Sequence, residues 1–263
     1  MECRMDGRTA IVTGGSLGLG RAIGMEFAKS GANVALVARR QDVLDEAKAE
    51  IEAVTSTKIG AYACDMCDSD AITAMYNSAV SDLGPIDVVV NNAGTSQRGP
   101  FLEVSDELWR EDLELKLFGA IRLIRLAFPG MIERKWGRII NVLNVGAKAP
   151  AAQGAPTAVS RAAGMALTKV LAGEGAPHNV LVNGMLVGLI ESDQHVQKHK
   201  LAVEKGSNKT LEEFYADMAK AVPMGRVGRA EEFANMACFL ASDAGSYITG
   251  TAINVDGNRS PVV

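Results

Sequence analysis

Three observations predict an α/β domain with a parallel sheet covered by helices on both faces. Short apolar runs alternate with segments of helical period along the 263 residues. A glycine-rich turn, Thr13-Gly14-Gly15-Ser16-Leu17-Gly18-Leu19-Gly20, separates the first apolar run from the first helical segment. No Pro/Ser-rich linker or low-complexity tract divides the chain, so a single domain is expected over residues 1–263.

The elements follow in order. Thr9 to Val12 reads as a buried strand, and Arg21 to Gly31 as a helix with apolar residues at Ala22, Ile23, Phe27 and Ala28. Asn33 to Ala38 is a second strand. Asp42 to Val54 is a helix whose apolar face is Val43, Leu44, Ala47 and Ile51. Lys58 to Cys64 gives a third strand, closed by Asp65, and Ile86 to Asn91 a fourth, with a helix from Asp68 to Leu83 between them. A long helix is predicted over 106–134, then strand five over 137–143, a helix over 155–176, and strand six over 180–185. Residues 191–222 are polar and helical without a strand, as expected of a lid over a ligand at a strand's carboxyl end. A last helix over 230–242 precedes strand seven, Thr251 to Val255. Regular alternation of this kind demands right-handed crossovers and a doubly wound sheet of seven parallel strands.

The glycine turn carries the first functional signal. A turn between a buried strand and a helix offers backbone N–H groups and the positive end of the helix to a phosphate. Gly14 permits the tight turn, Gly18 close approach of a pyrophosphate, and Gly20 close packing of helix on strand. In a dinucleotide site an acid at the end of the second strand marks NAD. Here that place holds Ala38, followed by Arg39 and Arg40. Guanidinium groups suit a 2′-phosphate, so NADP is the expected cofactor. Asp65, on the same rim, is placed to accept from an adenine amino group.

Composition narrows the classes further. The net charge of −4, with both signs mixed along the chain, argues against nucleic-acid binding. No apolar run is long enough for a membrane span, and Met1 to Asp6 lacks signal-peptide character, so the cytoplasm is the expected compartment. Four cysteines make no disulfide framework. The Cys64-Asp65-Met66-Cys67 spacing is read as two ordinary thiols rather than a redox pair, and no metal site is expected.

Thr13-Gly14-x-x-x-Gly18-x-Gly20, Asn91-Asn92-Ala93-Gly94, and the tail from Gly225-Arg226-Val227-Gly228 through Tyr247-Ile248-Thr249-Gly250 to Val255-Asp256-Gly257 together resemble the short-chain dehydrogenase/reductase family. The likeness runs from about Gly7 to Gly257. It implies a single Rossmann-type domain, hydride transfer between a nicotinamide and a small-molecule carbonyl or alcohol, and a homotetramer paired through the two long helices flanking strand five. The resemblance places the dinucleotide along Gly14, Ser16, Leu17, Gly18, Leu19 and Gly20, then Arg39, Arg40, Asp65 and Met66. It continues along Asn92, Ala93, Gly94, Arg161, Gly188 and Ile190.

The chain departs from the family's chemistry at each usual catalytic position. The serine that orients substrate corresponds to Asn144, the acid/base tyrosine to Thr157, its lysine to Arg161, and the relay asparagine to Lys116. The Pro-Gly after strand six is Val187-Gly188, with Ser192 where a threonine is usual. A phenol beside a cation can approach a neutral pKa, whereas an aliphatic hydroxyl is a far weaker acid. Arg161 stays charged and can bind ribose or an oxyanion but cannot shuttle a proton. Asn144 can still donate to a carbonyl oxygen.

Other proton donors compete with simpler roles. Lys116 is either part of a new relay or a salt-bridged helix lysine. Tyr215 either closes with the lid or packs within it. His195 and His199 lie four apart without a third ligand, and His178 follows a helix end. The leading expectation is an NADP-dependent oxidoreductase with a non-standard site. The alternatives are a noncatalytic dinucleotide-binding protein and a lyase or isomerase on the same fold.

Overall fold

The computed structural model describes residues 2–263. Mostly apolar runs form the seven strands, the central ones buried and the edge strands β3 and β9 only partly so: β1 (Thr9–Thr13), β2 (Asn33–Ala38), β3 (Ile59–Ala63) and β4 (Val88–Asn91), then β6 (Gly137–Asn144), β8 (Val180–Val187) and β9 (Ala252–Val255). Every pairing among them is parallel, in the order β3-β2-β1-β4-β6-β8-β9. Strands buried on both faces need no alternation, which is why Ala10 to Val12 and Val88 to Val90 are apolar throughout and inaccessible. Order reverses between β1 and β4, so the crevice outside their carboxyl ends is the expected ligand position.

Two apolar layers sandwich the sheet. One holds Ile23, Phe27, Leu44, Ile51 and Phe233, from α1 (Gly18–Lys29), α2 (Gln41–Glu52) and α9 (Ala230–Ala241). The other holds Ile72, Met75, Leu123, Ile124 and Met131, from α3 (Ser69–Leu83) and α5 (Gly119–Arg134). No helix among the described residues is long and apolar enough to cross a membrane.

Three features differ from expectation. The helix foreseen over 106–134 is α4 (Asp106–Leu113) and α5 joined by a π-helical turn, Glu114–Phe118, that contains Lys116. An extra residue in such a turn rotates the side chains around it, and the turns recur beside functional sites. The following helix, α6 (Thr157–Gly175), starts at Thr157 rather than Ala155, because Ala155–Pro156 is a short strand, β7. It pairs antiparallel with β5 (Arg98–Gly99), setting Arg98 opposite Pro156. Strand three ends at Ala63, so Asp65 lies two residues beyond it and accepts from Cys67 N at 2.9 Å. Residues 191–222 do form two helices, α7 (Asp193–Glu204) and α8 (Leu211–Ala219), neither with a buried residue.

Candidate active site

A cleft of about 560 Å³ opens at the carboxyl ends of the strands, between the glycine turn, the ends of β4, β6 and β8, and α7. Its floor is set by one threonine and one asparagine. Thr13 Oγ1 accepts from Asn92 N at 2.9 Å and Ala93 N at 3.0 Å, and Asn92 Nδ2 donates to Thr13 O at 2.9 Å. These bonds lock the turn after β4 against the turn after β1. The approach is so close that a Cβ on Gly20 would lie 2.1 Å from Gly14 O and 2.7 Å from Asn92 Nδ2. Gly14 and Gly18 adopt φ of 65° and 52°, the left-handed region that favours glycine. At the α1 N-terminus, Leu17 gives no side-chain cap and the first turn holds no acid. Its first N–H groups therefore have no partner within the helix and suit an anion.

The opposite wall is built around a buried ion pair. Asp112 and Lys116 lie four apart, and their side chains are 0 % and 1 % exposed. Lys116 Nζ donates to Asp112 Oδ1, and also to Thr157 Oγ1 at 2.8 Å. Ser160 Oγ donates to Asp112 Oδ2 at 2.6 Å, and Gln97 N donates to Thr157 Oγ1 at 3.0 Å. Having accepted two bonds, the Thr157 hydroxyl still has its own proton to give. Its acceptors are Asp112 Oδ1, at a long 3.4 Å, and whatever enters the cleft that Thr157 lines. Burial pulls the Lys116 ammonium down to about 8, aided by the positive charges of Arg161 and Arg98 and opposed by Asp112.

Arg161 stands one turn beyond Thr157, donates to Val142 O, and lines the cleft with its Nε unpartnered. Burial lowers its guanidinium to about 10, still charged at neutral pH. Asn144, the last residue of β6, presents Oδ1 buried and without a partner in the same cleft. Underneath, Asn91 Nδ2 donates to Asn141 Oδ1, and Asn141 Nδ2 to Thr168 Oγ1, tying β4, β6 and α6 together.

The structure brings together Gly14, Leu17, Gly18, Leu19, Gly20, Asn92, Gly94, Asn144, Thr157, Arg161, Gly188 and Ile190 as cleft lining. Ser16, Ala93, Asp65, Met66, Arg39 and Arg40 stand outside that lining. Ser16 and Met66 are buried, and Arg39, Arg40 and Asp65 are exposed beyond β2 and β3. Lys116 does not line the cleft either; it lies behind Thr157.

Asp112 and Ser160 were missed by the sequence reading, though the Asp-x-x-x-Lys and Thr-x-x-Ser spacings place both on facing helix surfaces. Tyr215 packs edge-on to His195 at 6.3 Å between ring centroids and lies outside the lining. His195 Nδ1 is within 2.9 Å of Ile190 O, His199 Nε2 within 2.7 Å of Lys209 O, and no metal-binding group occurs among the described residues. Cys64 and Cys67 are free thiols, and burial pushes Cys64 up to about 11.

The sequence model described as enoyl-(acyl carrier protein) reductase matches residues 14–257. The 3-oxoacyl-[acyl-carrier-protein] reductase FabG of Aquifex aeolicus (strain VF5) is 32% identical over 257 residues, 98% of this chain and 99% of that protein. The acetoacetyl-CoA reductase of Shinella zoogloeoides is 32% identical over 253 residues, covering 96% and 98%. Among solved structures, L-sorbose reductase from Gluconobacter frateurii, complexed with NADPH and L-sorbose, superposes with a TM-score of 0.95 at 33% identity. That match covers 100% of both chains. With its fold, its family match and its reductase relatives in agreement, the chain is an oxidoreductase of the short-chain dehydrogenase/reductase family.

Proposed function

We propose that the chain is an NADP(H)-dependent reductase of small carbonyl compounds in which threonine and a buried lysine replace the usual proton path. The observation that carries this reading is the Lys116–Thr157 hydrogen bond at the wall of the cleft. The residues present fit a dinucleotide: the uncapped α1 N-terminus suits its pyrophosphate, and the space beside Gly20 admits no side chain. Gly14, Ser16, Leu17, Gly18 and Leu19 surround the pyrophosphate, Asp65 and Met66 the adenine, and Arg39 and Arg40 the 2′-phosphate. Asn92, Ala93, Gly94, Arg161, Gly188 and Ile190 hold the nicotinamide half. L-Sorbose reductase, similar over the full chain, was solved with NADPH.

When bound, the nicotinamide supplies a hydride to a carbonyl carbon. Asn144 Nδ2 donates to the carbonyl oxygen, and the Arg161 charge stabilises the oxyanion that forms. Thr157 gives that oxygen a proton and regains one from Lys116, which ends as a neutral amine beside the Asp112 carboxylate. Asp112 and Ser160 hold Lys116 in line, and an amine that titrates near 8 suits proton exchange at neutral pH.

The segment over 191–222 acts as a lid. Gln194 Nε2 donates to Gly94 O at 3.4 Å, and Asp193 Oδ2 lies 3.1 Å from where a Cβ on Gly18 would stand, so α7 already spans the cleft. The assembly is a homotetramer. A stripe of Val159, Ala163, Ala166 and Val170 runs along α6, with Val159 50% and Val170 58% exposed.

The test is oxidation of NADPH and of NADH across a panel of ketones and aldehydes. Turnover with NADPH that falls by about 10² or more in Thr157→Val supports the reading. An active parent unaffected by Thr157→Val contradicts it.

A further inference from the structure

We propose that the substrate is an anion: a short oxo acid whose carboxylate is held at the mouth of the cleft by Arg98, with Lys198 and Arg259 around it. This rests on the reductase reading above and names the substrate class of that same site.

The argument begins with a charge imbalance. The protein as a whole is acidic, at −4, yet its cleft is lined by four cations, Arg98, Arg161, Lys198 and Arg259, against one carboxylate, Asp193. Among the described residues, Arg98, Lys198 and Arg259 make no salt bridge, whereas Arg21 pairs with Glu50 and Arg226 with Glu232. Arg98, Lys198 and Arg259 are all exposed, and an excess of cations around a concave cleft draws in anions.

Position separates Arg98 from the charges serving a cofactor. The pyrophosphate has the α1 N-terminus, and the 2′-phosphate has Arg39 and Arg40 beyond β2. Three strand spacings, roughly 14 Å, separate β2 from β6. Arg98 belongs to the far end. The β5–β7 ladder fixes its backbone opposite Pro156, the residue before Thr157, and Gln97 N binds Thr157 Oγ1. A carboxylate that pairs with a ladder-anchored guanidinium is held by two parallel bonds, which also fixes the carbonyl a few atoms away beside Thr157 and Asn144. Lys198 is carried by α7, which spans the cleft, and Arg259 follows β9, so both add charge from the other side.

The experiment compares C4 to C6 oxo acids with their methyl esters as substrates for the NADPH-loaded protein. In parallel, calorimetry measures binding of the same acid anions to the NADP⁺ complex, which needs no turnover. The acid is expected to exceed its ester at least tenfold in kcat/KM, and the advantage shrinks as salt rises. Arg98→Gln brings the acid down to the ester and abolishes anion binding, and Lys198→Gln has a smaller effect in the same direction. Equal rates for acid and ester, or a preference for the ester, would overturn the proposal. So would an Arg98→Gln variant that weakens NADPH while keeping the acid preference, since the cation would then serve the cofactor. A protein that turns over no carbonyl but binds the anions through Arg98 upholds the anion site and defeats the reductase reading instead. Absence of both turnover and anion binding overturns the proposal outright.

Discussion

Lys116 Nζ lies 2.8 Å from Thr157 Oγ1, and this bond joins a buried ammonium to a hydroxyl at the cleft wall. The groups facing Lys116 are Asp112 from α4, Arg161 from α6 and Arg98 from β5. Burial, aided by the charges of Arg161 and Arg98, outweighs the Asp112 carboxylate and displaces the amine from its ordinary 10.5 to about 8. Reduction needs the protonated form, so its rate should fall as pH rises through about 8. Oxidation of the alcohol needs the neutral form and should rise through the same pH.

The ion pair also has a structural consequence. Asp112→Asn leaves a buried ammonium without its counter-charge, a change of about 3–5 kcal/mol. Thermal unfolding of Asp112→Asn should therefore occur well below the parent, and Asp112→Asn with Lys116→Met should recover part of the loss. A double variant no more stable than the single would show that the pair does not interact as described.

At the glycine turn, Gly20→Ala sets a methyl against Gly14 O and Asn92 Nδ2. Dinucleotide binding, followed by calorimetry, should be lost or fall at least tenfold, while Gly173→Ala, where no atom lies within 4 Å, should leave it unchanged.

The proposed preference for NADPH is assigned to Arg39 and Arg40, which are exposed and follow β2 directly. Arg39→Ser with Arg40→Ser should weaken NADPH by about tenfold or more and leave NADH alone, since only the former carries the phosphate they would bind. Equal affinities of the parent for both cofactors would remove the basis for the assignment.

The strands were legible because a sheet buried on both faces writes itself as uninterrupted apolar runs. Val34 to Val37 and Val88 to Val90 are examples, and each is wholly inaccessible. The glycine turn was legible for a different reason: Gly14 and Gly18 take the left-handed region that favours glycine, and a Cβ on Gly20 would strike Gly14 O. The π-helical turn left no such mark, because Glu114 to Phe118 has ordinary helical residues and its extra residue is a matter of tertiary packing. Asp112 was hidden for a related reason. An acid four residues before a lysine usually describes a solvated helix face, and only the packing of α6 across it makes the pair a buried one. Arg98 drew no attention because a two-residue strand carries almost no pattern, yet the β5–β7 ladder is what fixes it beside Thr157.

The pH profile of a single turnover in Lys116→Met tests the proton path most directly. In the parent, reduction monitored at the NADPH absorbance band should lose rate with an apparent pKa near 8. In Lys116→Met the rate should be lower and flat across that range, and Thr157→Val should be flat as well. A Lys116→Met protein that folds, binds NADPH and keeps the parent's rate and its inflection near 8 would contradict the account.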